Sequence, residues 1–377
     1  MNGRQGESAM TVTGRANGGE DVAHGAGAGA GQGDGHKHGH GHGQGHGGGH
    51  HHGGAEIDWA VMAPVLEQNA EVTAPVYREV AAWLREVRKT RHVREEGGAR
   101  GARGARAEDG GREADRPVAP DLADPALIVD AGSGPGVVSC LFAEEFPRSR
   151  VIAADPEEAL LERTAARAAR LGLADRVGTH RAELPDGLGE LPPADLIWAA
   201  RSVHHVGDQG AALAALADRL APGGALAILE GGLAPRSLPR DFGVGRPGFQ
   251  ARLDAATEDW FARMRAALPG AKETTEDWRA LLTAAGLRHV ATRSFLLDLP
   301  APLDDAARAH VISTFERYHT LAEDTADGDT AGTDGLDPDD AATLGRLLDP
   351  EDEESLHRRA DLFLLTAHTV HVAVKEN

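Results

Sequence analysis

Between residues 127 and 230, short apolar runs alternate with longer stretches whose apolar positions recur every three or four residues. Leu127, Ile128 and Val129 suit a strand buried on both faces of a parallel sheet. From Val137 the spacing changes to Val138, Leu141 and Phe142, which is helical. The alternation then repeats. Residues 150–155 (RVIAAD) predict a second strand, and 156–171 a helix with Leu160, Leu161, Ala168 and Leu171 on or near its inner face. Residues 176–184 and 194–200 (ADLIWAA) are the third and fourth strands. Residues 209–220 form a helix with Leu213, Leu216 and Leu220 on one stripe. Ala-Pro-Gly-Gly at 221–224 ends it, and 225–230 (ALAILE) is the fifth strand. Alternation at this spacing implies right-handed crossovers and a parallel sheet.

The flanks read differently. Ile57, Val61, Val65 and Leu66 fall at helical spacing beside Trp59 and Met62, and Pro64 is expected to kink or split that helix. Thr73 reads as the N-cap of a second helix with Pro75 in its first turn. Val76, Val80, Trp83, Leu84 and Val87 give that helix one apolar stripe. Beyond residue 232, Leu253, Trp260, Phe261 and Met264 mark a helix, 278–285 another, and 288–297 a strand. Helices follow over 304–318 and around 344–348, and 361–375 is a long final strand.

Composition bounds how much of this folds. The chain has 377 residues, of which Gly accounts for 48 and aromatics for 4%. Residues 1–54 hold almost no apolar side chains and alternate Gly and His from 36 to 52, so they cannot offset the entropy of ordering and read as disordered. Their imidazoles can chelate borderline divalent metals weakly, without a fixed geometry. Residues 95–124 read as a linker whose Arg-Gly repeat lacks the aromatics of a nucleic-acid binder. The divisions are thus a tail at 1–54, helices at 55–94, a linker at 95–124, a core at 125–232, and helices plus closing strands at 233–377. Net charge is -20 with 59 acidic side chains, which argues against a duplex-binding partner. Much of it is local: 323–354 hold 13 acids and one arginine, and 323–340 read as a solvated acidic loop. It lacks the spacing of a calcium loop. Cys140 is the only cysteine, so no intrachain disulfide forms. The N-terminus shows no apolar h-region and no apolar run approaches membrane length, so the expected location is the cytoplasm.

The candidate chemistry sits where the first strand ends. Asp130 is followed by Gly132, Gly134 and Gly136, and glycine lets backbone approach a ligand without a Cβ in the way. A dinucleotide fingerprint requires glycine at position 137, where this chain has Val137, although an NAD(P)-dependent oxidoreductase remains a competitor at this point. A metal-binding protein acting through its histidine tail is another. Asp155 ends the second strand, where an acid can accept the hydroxyls of a ribose.

Four segments in order, DAGSGPG, the acid at 155, ADLIWA…SVHHVGD and LAPGGALAILE, resemble the class I S-adenosylmethionine (SAM)-dependent methyltransferases. The resemblance implies an α/β fold: a doubly wound, mostly parallel seven-stranded Rossmann-like sheet with one antiparallel edge strand, plus a helical lid. The lid would come from residues 56–91, 233–272 and 304–318, with Trp59, Met62 and Tyr77 as candidate pocket walls. It implies SAM as cofactor, held by Asp130, Gly132, Ser133, Gly134, Gly136, Asp155, Pro156, Glu183, Leu184 and Ala199. Within it Asp130 attracts the cationic amino end of SAM, and Glu183 accepts from the adenine amino group. The acceptor would be a small molecule. The sulfonium methyl is already activated, so the protein mainly positions a nucleophile and excludes water. His204 and His205 are the candidates for a general base toward a hydroxyl or amine acceptor. Related sequences often carry an uncharged residue where this chain has Arg201, a departure that fits either an acidic substrate or a structural salt bridge.

Overall fold

The computed structural model describes residues 51–52, 55–56, 59–101, 124–184, 186–326 and 336–376, with side chains over 62–87, 124–184, 187–319 and 336–376. The glycine-histidine tail up to residue 50, most of the linker (102–123) and the middle of the acidic loop (327–335) lie outside the described residues. Ahead of the core, His51–His52 pair antiparallel with Ala55–Glu56.

Seven strands form one sheet: β1 (Leu127–Ala131), β2 (Arg150–Asp155), β3 (Val177–Arg181), β4 (Ala194–Ala200), β5 (Leu220–Arg236), β6 (Leu287–Leu299) and β7 (Leu364–Lys375). Their spatial order is β3-β2-β1-β4-β5-β7-β6. The first five are mutually parallel, and β7 runs antiparallel to both β5 and β6. The antiparallel strand therefore belongs to the closing pair and lies one position in from the edge. Side chains explain the order. Val370, Val372, Ala373 and Val374 of β7 are all buried, as an interior strand requires, whereas β6 buries Phe295 and Leu297 but leaves Leu296 56% exposed. β1 pairs with both β2 and β4, so the strand order reverses there. That reversal opens a crevice at the strands' carboxyl ends.

Two helical layers cover the sheet. α2 (Val137–Glu145) and α1 (Trp59–Gly101) lie on one face, where Phe142, Trp198, Val80 and Leu84 share a core. On the other, Leu213 and Leu216 of α4 (Gln209–Asp218) and Trp278 of α6 (Trp278–Ala284) pack on Ile197 and Ile228. α3 (Glu158–Arg170) joins β2 to β3. α5 (Phe249–Ala267), α7 (Asp305–Ala326) and α8 (Pro338–Leu348) follow β5 and β6.

Two expectations fail for tertiary reasons. The N-terminal segment is one helix that runs through Pro64 and Pro75. Thr73 does not cap a second helix; its hydroxyl donates one turn back to the Asn69 carbonyl at 3.0 Å. Each interior proline costs about 3 kcal/mol. Burial of Val76, Tyr77, Val80 and Leu84 returns roughly 1.5–3 kcal/mol apiece and outweighs that. Ion pairs then fix the helix's direction: Glu67 meets Arg163, Arg167 and Arg170 of α3, and Arg85 meets Glu145 of α2 at 3.0 Å. The acidic segment is likewise not solvated at its end. Asp340 is 1% exposed and is clamped by Arg246 and Arg252, each at 2.7 Å.

Candidate cofactor and acceptor site

The β1–α2 turn is built to be rigid. Gly132 and Ser133 donate their N–H groups to the Ala154 carbonyl at 2.8 and 3.0 Å, and Gly134 N–H reaches the Asp155 carboxylate at 2.8 Å. The second Asp155 oxygen accepts from Glu157 N–H at 3.0 Å. Asp155 is thus held at the end of β2 against the turn, and the two halves of the motif form one unit.

The three glycines differ in role. A Cβ on Gly132 would come within 2.6 Å of the Ser202 Cβ, and one on Gly136 within 2.4 Å of Thr164. These two are required by the protein's own packing. A Cβ on Gly134 would meet nothing within 4 Å, so the turn opens onto free space only there, beside Asp155. That cradle fits a ligand pressed against backbone.

Asp130 departs from expectation. It is 2% exposed and its carboxylate accepts from Ser139 of α2 at 2.6 Å, so it is turned into the β1–α2 packing. Burial first, with Asp155 adding to it against the Ser139 hydrogen bond, pushes its pKa up to about 7. Ser133 is buried in the turn, and the Pro156 carbonyl accepts from Arg181. Ala182 N–H bonds the Asp155 carbonyl, which places Glu183 one residue further along the crevice with an exposed side chain. Leu184 packs on the α4-side core, and Ala199 is fully buried in β4. Of the candidate walls, Tyr77 is buried edge-on against Trp198 at 6.4 Å, Met62 is 39% exposed, and the Trp59 side chain lies outside the described ones.

At the end of β4 the two histidines separate. His204 Nδ1 lies 2.8 Å from Glu230, which ends the core of β5 and is 3% exposed; the other Glu230 oxygen accepts from Val203 N–H at 3.1 Å. A carboxylate partner requires a proton on Nδ1, so in the neutral ring Nε2 carries the lone pair. Phe261 of α5 packs on His204 at 5.5 Å, and Arg265 holds the His204 carbonyl at 2.6 Å. His205 is exposed, and its ring lies 4.2 Å from that of His204 at a 51° tilt. Glu230 was absent from the sequence reading, where it appeared only as the last residue of an apolar strand.

Arg201 lies just outside β4 and turns back with φ 52, a left-handed conformation that costs a non-glycine residue on the order of 1 kcal/mol. Among the described residues it has no carboxylate partner; its guanidinium meets His368 Nδ1 of β7 at 2.8 Å. This excludes the structural salt bridge to a described acid.

The strand order, the switch point and the glycine–acid turn define a SAM-type α/β nucleotide fold. A family model described as methyltransferase domain matches residues 129–226. Trans-aconitate 2-methyltransferase of Streptomyces coelicolor is 31% identical over 223 residues, covering 58% of this chain and 68% of that protein. The Methylobacterium nodulans protein of the same name is 30% identical over 208 residues, covering 52% of this chain and 78% of that protein. The uncharacterized protein syc1184_c of Synechococcus is 39% identical over 111 residues, and this chain spans only 26% of its length. The chain belongs to the class I SAM-dependent methyltransferases. It is a methyltransferase with SAM as its cofactor, and the oxidoreductase alternative is set aside. Among the described residues, no helix is long and apolar enough to cross a membrane, and no group of three or more His, Cys, Asp or Glu is placed to hold a metal ion.

Proposed function

We propose that the crevice over β1, β2 and β4 holds SAM against Gly134, with Asp155 accepting from the ribose hydroxyls and Glu183 from the adenine amino group. The open face of Gly134 beside a carboxylate already fixed by two backbone N–H groups is the observation that carries this reading. Bound there, SAM supplies a methyl group activated by a sulfonium. The protein then has three tasks: to bring the acceptor into line, to keep water out, and to take a proton where the acceptor carries one.

His204 is the base in this reading and Glu230 its positioning residue. The dyad distinguishes His204 from His205, since Glu230 fixes both the tautomer and the direction of the ring. Asp130 acts on the turn from below through Ser139, and any attraction it has for the amino end of SAM passes through the backbone or water. α1, α5 and α7 form the lid. Titration calorimetry with S-adenosylhomocysteine tests the assignment: a folded protein that fails to bind would remove it.

The tail at 1–54 remains a weak chelator in this account, the protein cytoplasmic, and neither nucleic acid nor membrane a partner. Deleting 1–54 should abolish nickel binding and leave S-adenosylhomocysteine binding unchanged. Persistent nickel binding would place the metal elsewhere.

A further inference from the structure

Positive charge gathers where β4, β7 and α7 meet. Arg201 lies close enough to act on Arg317, whose pKa is lowered by desolvation first, with Tyr318 opposing and Arg201 adding to the fall. Both arginines are exposed, and neither makes an ion pair with a described carboxylate. His310 and His368 sit in the same field. Burial first, then the neighbouring arginines, hold His310 down to about 4; burial and then Arg201 hold His368 down to about 3. Both rings are therefore neutral at neutral pH, and the standing charge belongs to the arginines.

His368 supplies the second observation. Arginine has no acceptor, so its 2.8 Å contact requires His368 Nδ1 to accept, which leaves the ring proton on Nε2. That residue is 3% exposed, and Nε2 has no hydrogen-bond partner among the described residues. A buried donor left unmade is costly, and one beside the Arg201 guanidinium marks a place for an acceptor group. His310 is oriented by Asn69 of α1 at 2.7 Å, so the same cluster ties the covering helix to α7. Arg201's left-handed backbone is what turns its side chain off the strand end toward β7.

Resting on the cofactor assignment above, we propose that the methyl acceptor is a small carboxylate-bearing anion, and that Arg201, Arg317 and the Nε2–H of His368 form its recognition subsite. Two planar guanidinium forks match carboxylate oxygens bidentately, and the neutral imidazole adds one N–H donor. Phosphate shares this charge chemistry, and the titration below separates it from a carboxylate.

The test uses the full chain saturated with S-adenosylhomocysteine, titrated calorimetrically with benzoate, succinate and tricarballylate, and with tricarballylamide and inorganic phosphate as controls. At least one carboxylate should bind, with tricarballylamide and phosphate weaker by roughly tenfold or more. Arg317→Gln, at an exposed helical position, should weaken that carboxylate by roughly tenfold or more while changing S-adenosylhomocysteine affinity less than about twofold. The proposal is overturned if no carboxylate binds, if the amide or phosphate binds equally well, or if Arg317→Gln binds like the parent. Failure of S-adenosylhomocysteine itself to bind would instead strike the cofactor assignment, and is read separately in the loading step.

Discussion

The two halves of the crevice are held in opposite ways. Over β1 and β2, the turn's donors and the Asp155 carboxylate are paired within the protein, and only the space above Gly134 is left open. Over β4 and β7, a buried His368 nitrogen and two arginine charges lack such partners among the described residues. The first half is a finished mould that fits one cofactor. The second is charge waiting for a complement, and the acceptor is chosen there.

This contrast breaks first at the glycines. Gly136→Ala should cost about 2–4 kcal/mol, since it adds a left-handed alanine to a clash with Thr164. Gly134→Ala should cost only about 1 kcal/mol yet lose cofactor binding. Denaturant melts beside calorimetry separate the two, and equal destabilisation would erase the distinction between packing and cradle.

Next is the dyad. Glu230→Gln should lower methyl transfer by about 100-fold, in line with the loss of an oriented general base, with S-adenosylhomocysteine affinity unchanged. His204→Gln should lower the rate by a similar factor. A rate that Glu230→Gln leaves intact would return His204 to a packing role.

The remaining prediction concerns Asp130 and is read against pH. Its pKa stands at about 7 in the fold against 3.8 for the free side chain. Between those values the folded chain keeps a proton that the unfolded chain has released, so this group's contribution to stability is present at low pH and is lost as pH rises toward 7. Asp130→Asn does not titrate. Its stability relative to the parent should therefore rise by up to about 1.4 kcal/mol per pH unit across that window and level off above it. Parallel curves would show Asp130 to be charged beneath the turn.

The β1–β2 half was legible in the sequence because its determinants are local: an apolar run, an acid and alternating glycines. Even there the spacing could not tell Gly134 from its neighbours, because the atoms that Gly132 and Gly136 must avoid belong to Ser202 and Thr164, remote in the chain. The acceptor half is assembled from distance. Arg201 meets His368 across 167 residues, and Asn69 meets His310 across 241. No pattern along the chain marks either pair; Arg201 stood out as a departure that fits an acidic substrate or a salt bridge, but its actual partner His368 did not. The prolines at 64 and 75 misled for a related reason, since the burial that overrides them depends on α2, α7 and β6, all later in the chain. Asp340 looked like one more solvated acid because Arg252 lies 88 residues before it.

Titration of the Asp155→Ala variant with S-adenosylhomocysteine tests the cofactor mould most directly. The parent should bind one equivalent, and a folded variant should bind roughly tenfold more weakly or worse, since a charged acceptor of two ribose hydroxyls is gone. A folded variant that binds with the parent's affinity would contradict the account at its centre.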